Sequence, residues 1–169
     1  MVDAQTISIV LTGIGIIVAI VYYAQVLRNA EKSRQREMVY QKYQSHSLEY
    51  TRAYTEVSTF TDWNSGEEFH EKYGASTNPD AWSKYLMIER SYNAVGILLQ
   101  ENMVSADIIF KLYPAHSIIY LWERFLPLTR YARDRYNSPD HLESFEFLYN
   151  EAKKRYPDVT PGRRSRVPS

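Results

Sequence analysis

Apolar residues fill the N-terminal part of the chain without a charged interruption. Between Ala4 and Leu27 the only ionisable side chains are the phenols of Tyr22 and Tyr23. A helix rises about 1.5 Å per residue, so these 24 residues span roughly 36 Å. That length exceeds the hydrocarbon core of a bilayer, which is about 30 Å thick. The pattern therefore predicts a transmembrane anchor at residues 1–27.

The flanks of this segment argue against a cleaved signal peptide and set its orientation. No Lys or Arg precedes it, and Tyr22-Tyr23-Ala24 places a bulky residue where a cleavage site needs a small one. Asp3 is the only charged side chain before the segment. Five basic residues follow it closely: Arg28, Lys32, Arg34, Arg36 and Lys42. The positive-inside rule predicts a single-pass protein of the inner cell membrane with its N terminus outside and its C-terminal domain in the cytoplasm.

A tyrosine-rich stripe follows the anchor. No Gly or Pro occurs from Val26 to Phe60, and we therefore predict one helix that leaves the bilayer and ends near Thr59. Spacings of three and four place these residues on one face of it: Tyr40, Tyr43, Ser47, Tyr50, Tyr54 and Val57. The stripe either packs against its own domain or forms a seam with another chain, because Tyr is enriched at interfaces.

Helix-start signals and apolar periodicity predict the next elements. Residues 61–78 have the composition of a loop with one helical turn at Glu67–Tyr73. Asn78 and Pro79 are typical of the first positions of a helix, which we expect to end near Glu101. Its apolar face recurs every three or four residues: Ala81, Tyr85, Ile88, Tyr92, Val95 and Leu99.

Three further segments complete the helical pattern. A short helix is expected from Ser105 to about Leu112, and another opens at Pro114. Pro127 lies inside the latter and predicts a kink or a break, because proline lacks an N–H group. Ser138-Pro139-Asp140 repeats the start signal for a last helix, and Pro157 ends it.

These elements define the predicted fold and its domains. No alternating strand pattern occurs anywhere in the sequence. The fold class is all-α, with an N-terminal transmembrane helix continuing into a small cytoplasmic helical domain at residues 28–157. Residues 158–169 form a disordered basic tail that contains Arg163, Arg164 and Arg166.

Charge and composition restrict the functions that this fold could carry. Lys+Arg 20 and Asp+Glu 20 give a formal net charge of zero, so the basic footprint of a nucleic-acid-binding protein is missing. Weak nucleic-acid binding, as an adaptor, therefore remains only an alternative function for this protein. For the three tail arginines, closeness to a membrane favours anionic lipid as the ligand. The absence of Cys excludes disulfides and thiolate metal sites.

Candidate catalytic chemistry is sparse. Glu67 and His70 have the Glu-x-x-His spacing of di-iron bundles, but no second pair occurs, so we expect no metal site. No nucleophile elbow, P-loop or dinucleotide motif is present, and we expect neither a cofactor nor catalytic residues. Glu123 and Arg124, beside the proline break, support the alternative of an enzyme acting at the membrane surface.

Eight residues are instead candidates for partner binding. In the anchor, small residues recur at spacings of four, three and four, a pattern that lets helix backbones approach closely. Together with the tyrosines after the anchor they are Ser8, Thr12, Gly15, Ala19, Tyr40, Tyr43, Tyr50 and Tyr54. The expected partners are the lipid bilayer and either another membrane protein or a second copy of this chain. The predicted function is a non-enzymatic, membrane-tethered interaction or scaffolding module, or an accessory subunit of a membrane complex.

Several short segments carry a family resemblance. They are the run Tyr92-Asn93-Ala94-Val95-Gly96-Ile97-Leu98-Leu99, the pair Trp122-Glu123 and the run Phe145-Glu146-Phe147-Leu148-Tyr149. With the single anchor and the charged helical exit, the chain from Ile7 to Tyr156 resembles a prokaryotic family of small single-pass membrane-anchored proteins known only as a domain of unknown function. The resemblance implies an anchored all-helical cytoplasmic domain without assigned catalytic residues or cofactor.

Overall fold

The computed structural model describes residues 3–44 and 48–159. These residues form seven helices and no strand, which confirms the all-α fold class. The helices are α1 (Ala4–Gln44), α2 (Leu48–Val57), α3 (Gly66–Tyr73), α4 (Pro79–Gln100), α5 (Ala106–Leu112), α6 (Ala115–Tyr136) and α7 (Glu143–Arg155). The predicted continuity from α1 into α2 and the predicted tail arginines lie outside the described residues.

The chain divides into two compact units, Met1–Tyr43 and Gln44–Ser169. In the first unit, α1 contains a 25-residue segment, Leu11–Gln35, with a mean hydropathy of 1.6 and none of its apolar window buried. This segment is long and apolar enough to cross a membrane, and it overlaps the predicted anchor from Leu11 to Leu27.

The second unit is built around α4. This helix packs against α2 on one side and α7 on another, while α6 packs against α3 and α7. The apolar face predicted for α4 is buried at every position from Ala81 to Leu99. Large fully buried side chains from α3, α6 and α7 complete the core; among them are Phe69, Ile118, Ile119 and Leu148.

Local start signals place α4 and α5 as the sequence predicts. The Asn78 side chain accepts a hydrogen bond of 3.1 Å from the Ala81 amide, which caps α4 immediately before Pro79. Ser105 is the N-cap residue of α5, but its hydroxyl makes no capping hydrogen bond. The predicted turn at Glu67–Tyr73 is a complete helix, α3, because Ser65 caps it through the Glu68 amide at 3.2 Å.

Of the kink or break predicted at Pro127, the break is wrong: helix α6 continues through this exposed residue, while Phe125 and Leu128 lie in the core. The predicted start of the last helix is also wrong. Helix α7 begins at Glu143 and not at the Ser138 signal.

The residues between α6 and α7 form turns instead. The Ser138 hydroxyl donates to Asp140 at 2.8 Å, and the His141 carbonyl accepts from Arg133 Nε at 3.0 Å. Arg133 also forms a 2.7 Å ion pair with Glu146 in α7. These contacts tie the segment to α6, and Leu142 takes a left-handed conformation (φ 60) just before α7.

Candidate functional site

The predicted partner-binding residues fall in both units. On α1, Gly15 has open space around it, since a Cβ atom added there would meet nothing within 4 Å. Thr12 and Ala19 are exposed on the same helix. The side chains of Ser8, Tyr40 and Tyr43 lie outside the described residues. Of the eight candidates, Tyr50 and Tyr54 belong to the second unit, Gln44–Ser169.

Tyr50 and Tyr54 lie in an open groove, which we call the tyrosine groove. Its volume is about 280 Å³, and it is lined by Tyr50, Thr51, Tyr54, Tyr92, Leu112, Tyr113 and Pro114. The Tyr92 and Tyr113 rings meet edge to face with their centroids 5.8 Å apart. The groove is therefore formed where α2, α4 and the end of α5 come together.

Three phenols of the tyrosine groove, those of Tyr50, Tyr92 and Tyr113, are held in their neutral form. Burial raises the pKa of Tyr92 above its ordinary value, and the neighbouring Tyr50 and Tyr54 raise it further. Burial also raises the pKa of Tyr113 and of Tyr50. A neutral phenol can both donate and accept a hydrogen bond, so the groove offers polar contacts without charge.

On α2, the predicted tyrosine stripe lies on the side of the helix that packs against its own domain. Ala53 and Val57, on the same side of α2, are buried with 1% of their surface exposed. Tyr50 and Tyr54 are half-buried, so part of each ring stays accessible beside the groove. The C-terminal half of the predicted stripe thus packs intramolecularly while its tyrosines line a surface feature.

A second cavity, which we call the carboxylate pocket, lies between α3, α4, α6 and the turn before α7. Its volume is about 80 Å³, and one of its lining residues is the buried Glu89, which is 8% exposed. Burial raises the pKa of Glu89, and a hydrogen bond from the Tyr85 hydroxyl partly offsets this effect. His141 Nε2 lies 3.7 Å from Glu89 Oε1. Burial lowers the pKa of His141, which weakens it as a cationic partner.

His70 forms another wall of the carboxylate pocket. Its ring meets Trp82 nearly perpendicularly at 5.0 Å and lies 5.9 Å from the Tyr131 ring. The buried Nδ1 atom of His70 has no hydrogen-bond partner in the described part of the chain. Sequence reasoning missed this pocket; the available signal was Glu89 itself, an acid four residues after Tyr85 and three before Tyr92 on the buried face of α4.

Comparison with known families gives one match. The family described as "Domain of unknown function (DUF4760)" matches residues 9–152, more than four-fifths of the chain. The chain belongs to this family. The match confirms the resemblance to a domain of unknown function, and it covers the residues of both the tyrosine groove and the carboxylate pocket. No curated protein and no solved structure matches this DUF4760 chain.

In this DUF4760 domain, the side chains of Glu123 and Arg124 make contacts with different parts of the fold. Glu123 faces α7, where it accepts a 3.1 Å hydrogen bond from Tyr149 and lies 3.7 Å from Lys153 Nζ. Arg124 faces the segment after α2 and donates to the Phe60 carbonyl through Nε at 3.2 Å and Nη2 at 2.7 Å. Adjacent helical positions point about 100° apart, so the two groups serve different contacts.

Glu67 and His70, the Glu-x-x-His pair, also lie in different surroundings. Glu67 is exposed, whereas the His70 ring faces the carboxylate pocket. Within residues 3–44 and 48–159, no group of three or more His, Asp or Glu residues is arranged to hold a metal ion.

Proposed function

We propose that this DUF4760 protein is a non-enzymatic interaction module tethered to the cell membrane. The tyrosine groove carries the proposal, because it is an accessible aromatic surface on the helical domain. Tyr supplies large contacts at a low entropy cost, and for that reason it dominates many binding surfaces. The contacts that engage Glu123 and Arg124 within the fold support this function over a membrane-surface enzyme.

The proposed attachment to the membrane depends on helix α1. Between Leu11 and Leu27, α1 exposes large apolar side chains, including Ile17 and Val21. A lipid environment would cover them, and the basic residues from Arg28 onward would then remain on the cytoplasmic side. The helical domain would face the cytoplasm, where the partner would be a neighbouring membrane protein.

The chemistry of the tyrosine groove defines the bound segment. The groove is lined by aromatic rings, Leu112 and Pro114, and none of its lining residues is charged. An uncharged, extended segment with Pro or Leu side chains fits this lining. Its Pro or Leu side chains would pack against the exposed parts of the tyrosine rings, as proline-rich segments do in aromatic-lined grooves. The bound segment would therefore be extended and apolar, and a helix with a charged face would not fit.

Site-specific photocrosslinking in native membranes tests the proposal. A photoreactive phenylalanine analogue replaces Tyr54 in the tyrosine groove or, as a control, the exposed Glu71 on α3. We expect a discrete crosslinked product at position 54 that is absent at position 71. The crosslinked partner peptide should be apolar when it is sequenced. Equal crosslinking at the two positions, or none at position 54, would contradict a binding groove.

A further inference from the structure

A polar face begins on α1 at the point where its apolar part ends. Val21, Gln25, Arg28 and Lys32 recur every three or four residues, so they share one side of the helix. An open depression of about 440 Å³ lies along this side, lined by Val21, Ala24, Gln25, Arg28, Asn29 and Lys32. The first two of these side chains are apolar, and the other four carry N–H donors. The lining therefore changes along the helix from apolar to donor-rich.

The two basic residues of this face are available to bind an anion. Arg28 and Lys32 are exposed, and neither forms an ion pair among the described residues. The acid nearest in sequence, Glu31, does not line the depression, and it accepts a hydrogen bond of 3.3 Å from Gln35 Nε2. The positive charge of the face is thus not neutralised by an acid within the depression.

The position of Arg28 and Lys32 along α1 matches the headgroup layer of a bilayer. The hydrocarbon core is about 30 Å thick and the whole bilayer about 40–45 Å, which leaves roughly 5–8 Å for each headgroup layer. If the hydrocarbon core ends at Leu27, Arg28 lies directly outside it, and Lys32 lies about 6 Å further along the helix. Both charges would then lie at the level of the lipid phosphates.

Tyr22 and Tyr23 support this placement. They precede Arg28 by one to two helical turns, and their side chains are 65% and 67% exposed. Tyrosine is enriched at the boundary between the hydrocarbon core and water, where its ring contacts lipid and its hydroxyl contacts the headgroups. A pair of tyrosines at this point of α1 indicates that the boundary lies shortly before Arg28.

The donors on this face favour a phosphate group as the ligand. An arginine guanidinium can donate two parallel hydrogen bonds to a phosphate, and a lysine ammonium adds a compact positive charge. The side-chain amides of Gln25 and Asn29 supply further N–H donors, while Val21 and Ala24 would contact the beginning of an acyl chain. A headgroup that also carried an ammonium, as in phosphatidylcholine, would place a positive charge beside two others. The face therefore fits a phospholipid with a net negative charge.

We propose that Arg28 and Lys32 bind the phosphate of an anionic phospholipid, with Gln25 and Asn29 donating to the same headgroup. This inference rests on the membrane attachment in the proposed function and is independent of the tyrosine groove. The site would give the protein a preference for membrane regions that are rich in anionic lipid.

Native mass spectrometry of the full-length protein in detergent tests the site. The probes are phosphatidylglycerol and phosphatidylcholine with the same acyl chains. Phosphatidylglycerol should bind at least about tenfold more tightly, because each basic residue near an anionic headgroup contributes about fivefold. Equal binding of the two lipids would refute the proposal. Glycerol 3-phosphate, which has the phosphate but no acyl chain, should not displace the lipid; displacement would identify a soluble phosphate compound as the ligand and overturn the lipid site.

Two single variants separate a defined site from a general attraction of positive charge. Lys32→Gln and Arg34→Gln each remove one exposed charge at nearly the same depth, but positions two residues apart point about 160° apart on a helix. Lys32→Gln should weaken phosphatidylglycerol binding about fivefold, and Arg34→Gln less than twofold. The double variant Arg28→Gln, Lys32→Gln should weaken it at least about tenfold. Circular dichroism verifies the helix content. Equal losses for Lys32→Gln and Arg34→Gln would mean that no specific site exists.

Membrane fractionation distinguishes failure of this site from failure of the proposed function. The wild type and both single variants should remain in the membrane fraction, because the apolar part of α1 is unchanged. Wild-type protein in the soluble fraction would overturn both the membrane attachment and the lipid site. Wild-type protein that is in the membrane but shows no preference for phosphatidylglycerol would overturn the lipid site alone.

Discussion

Gly96 sets the separation between α4 and α7. A Cβ atom added at this position would overlap the carbonyl oxygen of Ser144 in α7. Backbone atoms cannot rotate away as a flexible side chain can, so the two helices would have to move apart. The absence of a side chain at this position therefore allows the close packing that buries Tyr92 against Phe145 at 5.2 Å.

Gly96→Ala should destabilise the helical domain by about 1–3 kcal/mol, the usual cost of overpacking a core. Chemical denaturation of the purified protein followed by tryptophan fluorescence measures this change. Gly13→Ala is the matched control, because a Cβ atom there meets nothing within 4 Å. An unchanged denaturation midpoint for Gly96→Ala would show that α4 and α7 are not in this close contact.

Glu89 makes stability depend on pH in a defined direction. Burial raises its pKa above the ordinary value, so the unfolded chain releases the proton at a lower pH than the folded domain does. Stability is consequently lost as pH rises through the folded-state pKa. His141 acts in the opposite direction, because burial lowers its pKa and stability falls as pH decreases.

Glu89→Gln should raise the thermal midpoint at pH 7.5, since it removes a buried charge and retains an acceptor for Tyr85. The gain should shrink at pH 4, near the ordinary Glu pKa of about 4.3, where the carboxyl group is increasingly protonated in both states. Thermal denaturation at the two pH values, with Glu71→Gln as the exposed control, measures the difference. A gain that is equal at both pH values would mean that the Glu89 charge is not responsible.

At the scale of elements, Arg124 joins α6 to the segment between α2 and α3. Its guanidinium makes two hydrogen bonds with the Phe60 carbonyl and lies over the Trp63 ring, 4.5 Å from the centroid. The Trp63 Nε1 atom donates to the same carbonyl at 2.9 Å. Three donors thus converge on the Phe60 carbonyl oxygen and hold the segment after α2 against α6.

Arg124→Lys should cost about 1–2 kcal/mol of stability, because a lysine can neither donate twice to this carbonyl nor stack as a plane. Arg130→Lys, an exposed change in the same helix, should cost little by comparison. Urea denaturation of both variants gives the two free energies. Equal and small costs would indicate that the Phe60 contacts do not stabilise the domain.

The sequence predicts elements well where the deciding contacts are local. Asn78 and Pro79 mark the start of α4 because the capping hydrogen bond reaches only three residues ahead. Ser138 carries the same local signal, yet α7 begins five residues later, at Glu143. The deciding contacts there come from Arg133 in α6, which binds the His141 carbonyl and Glu146, and no local pattern reveals them.

The same distinction separates the two sites. Tyr50 and Tyr54 could be selected from periodicity, because they share a helical face. The carboxylate pocket combines His70, Glu89 and His141 from three separate segments, and only tertiary packing brings them together. Glu123 and Arg124 show the converse, since neighbours in sequence point to different elements in the fold.

At the scale of the molecule, orientation in the membrane is the first open prediction. The basic residues from Arg28 onward would place the helical domain in the cytoplasm if the apolar part of α1, which ends at Leu27, spans the bilayer. Protease added to sealed, right-side-out cells should then spare that domain, and lysis should expose it. Immunoblotting against the C-terminal domain measures both states. Digestion without lysis would establish the opposite orientation.

The packing of α4 against α7 also has a consequence during translation. The 42 residues between Gln100 and Glu143 take roughly 2–8 s to synthesise at 5–20 residues per second. During that interval the side of α4 around Gly96 lacks its contact with α7, because α7 follows α4 in the chain. A premature stop codon before Glu143 would make the absence of this contact permanent while leaving the N-terminal apolar helix intact.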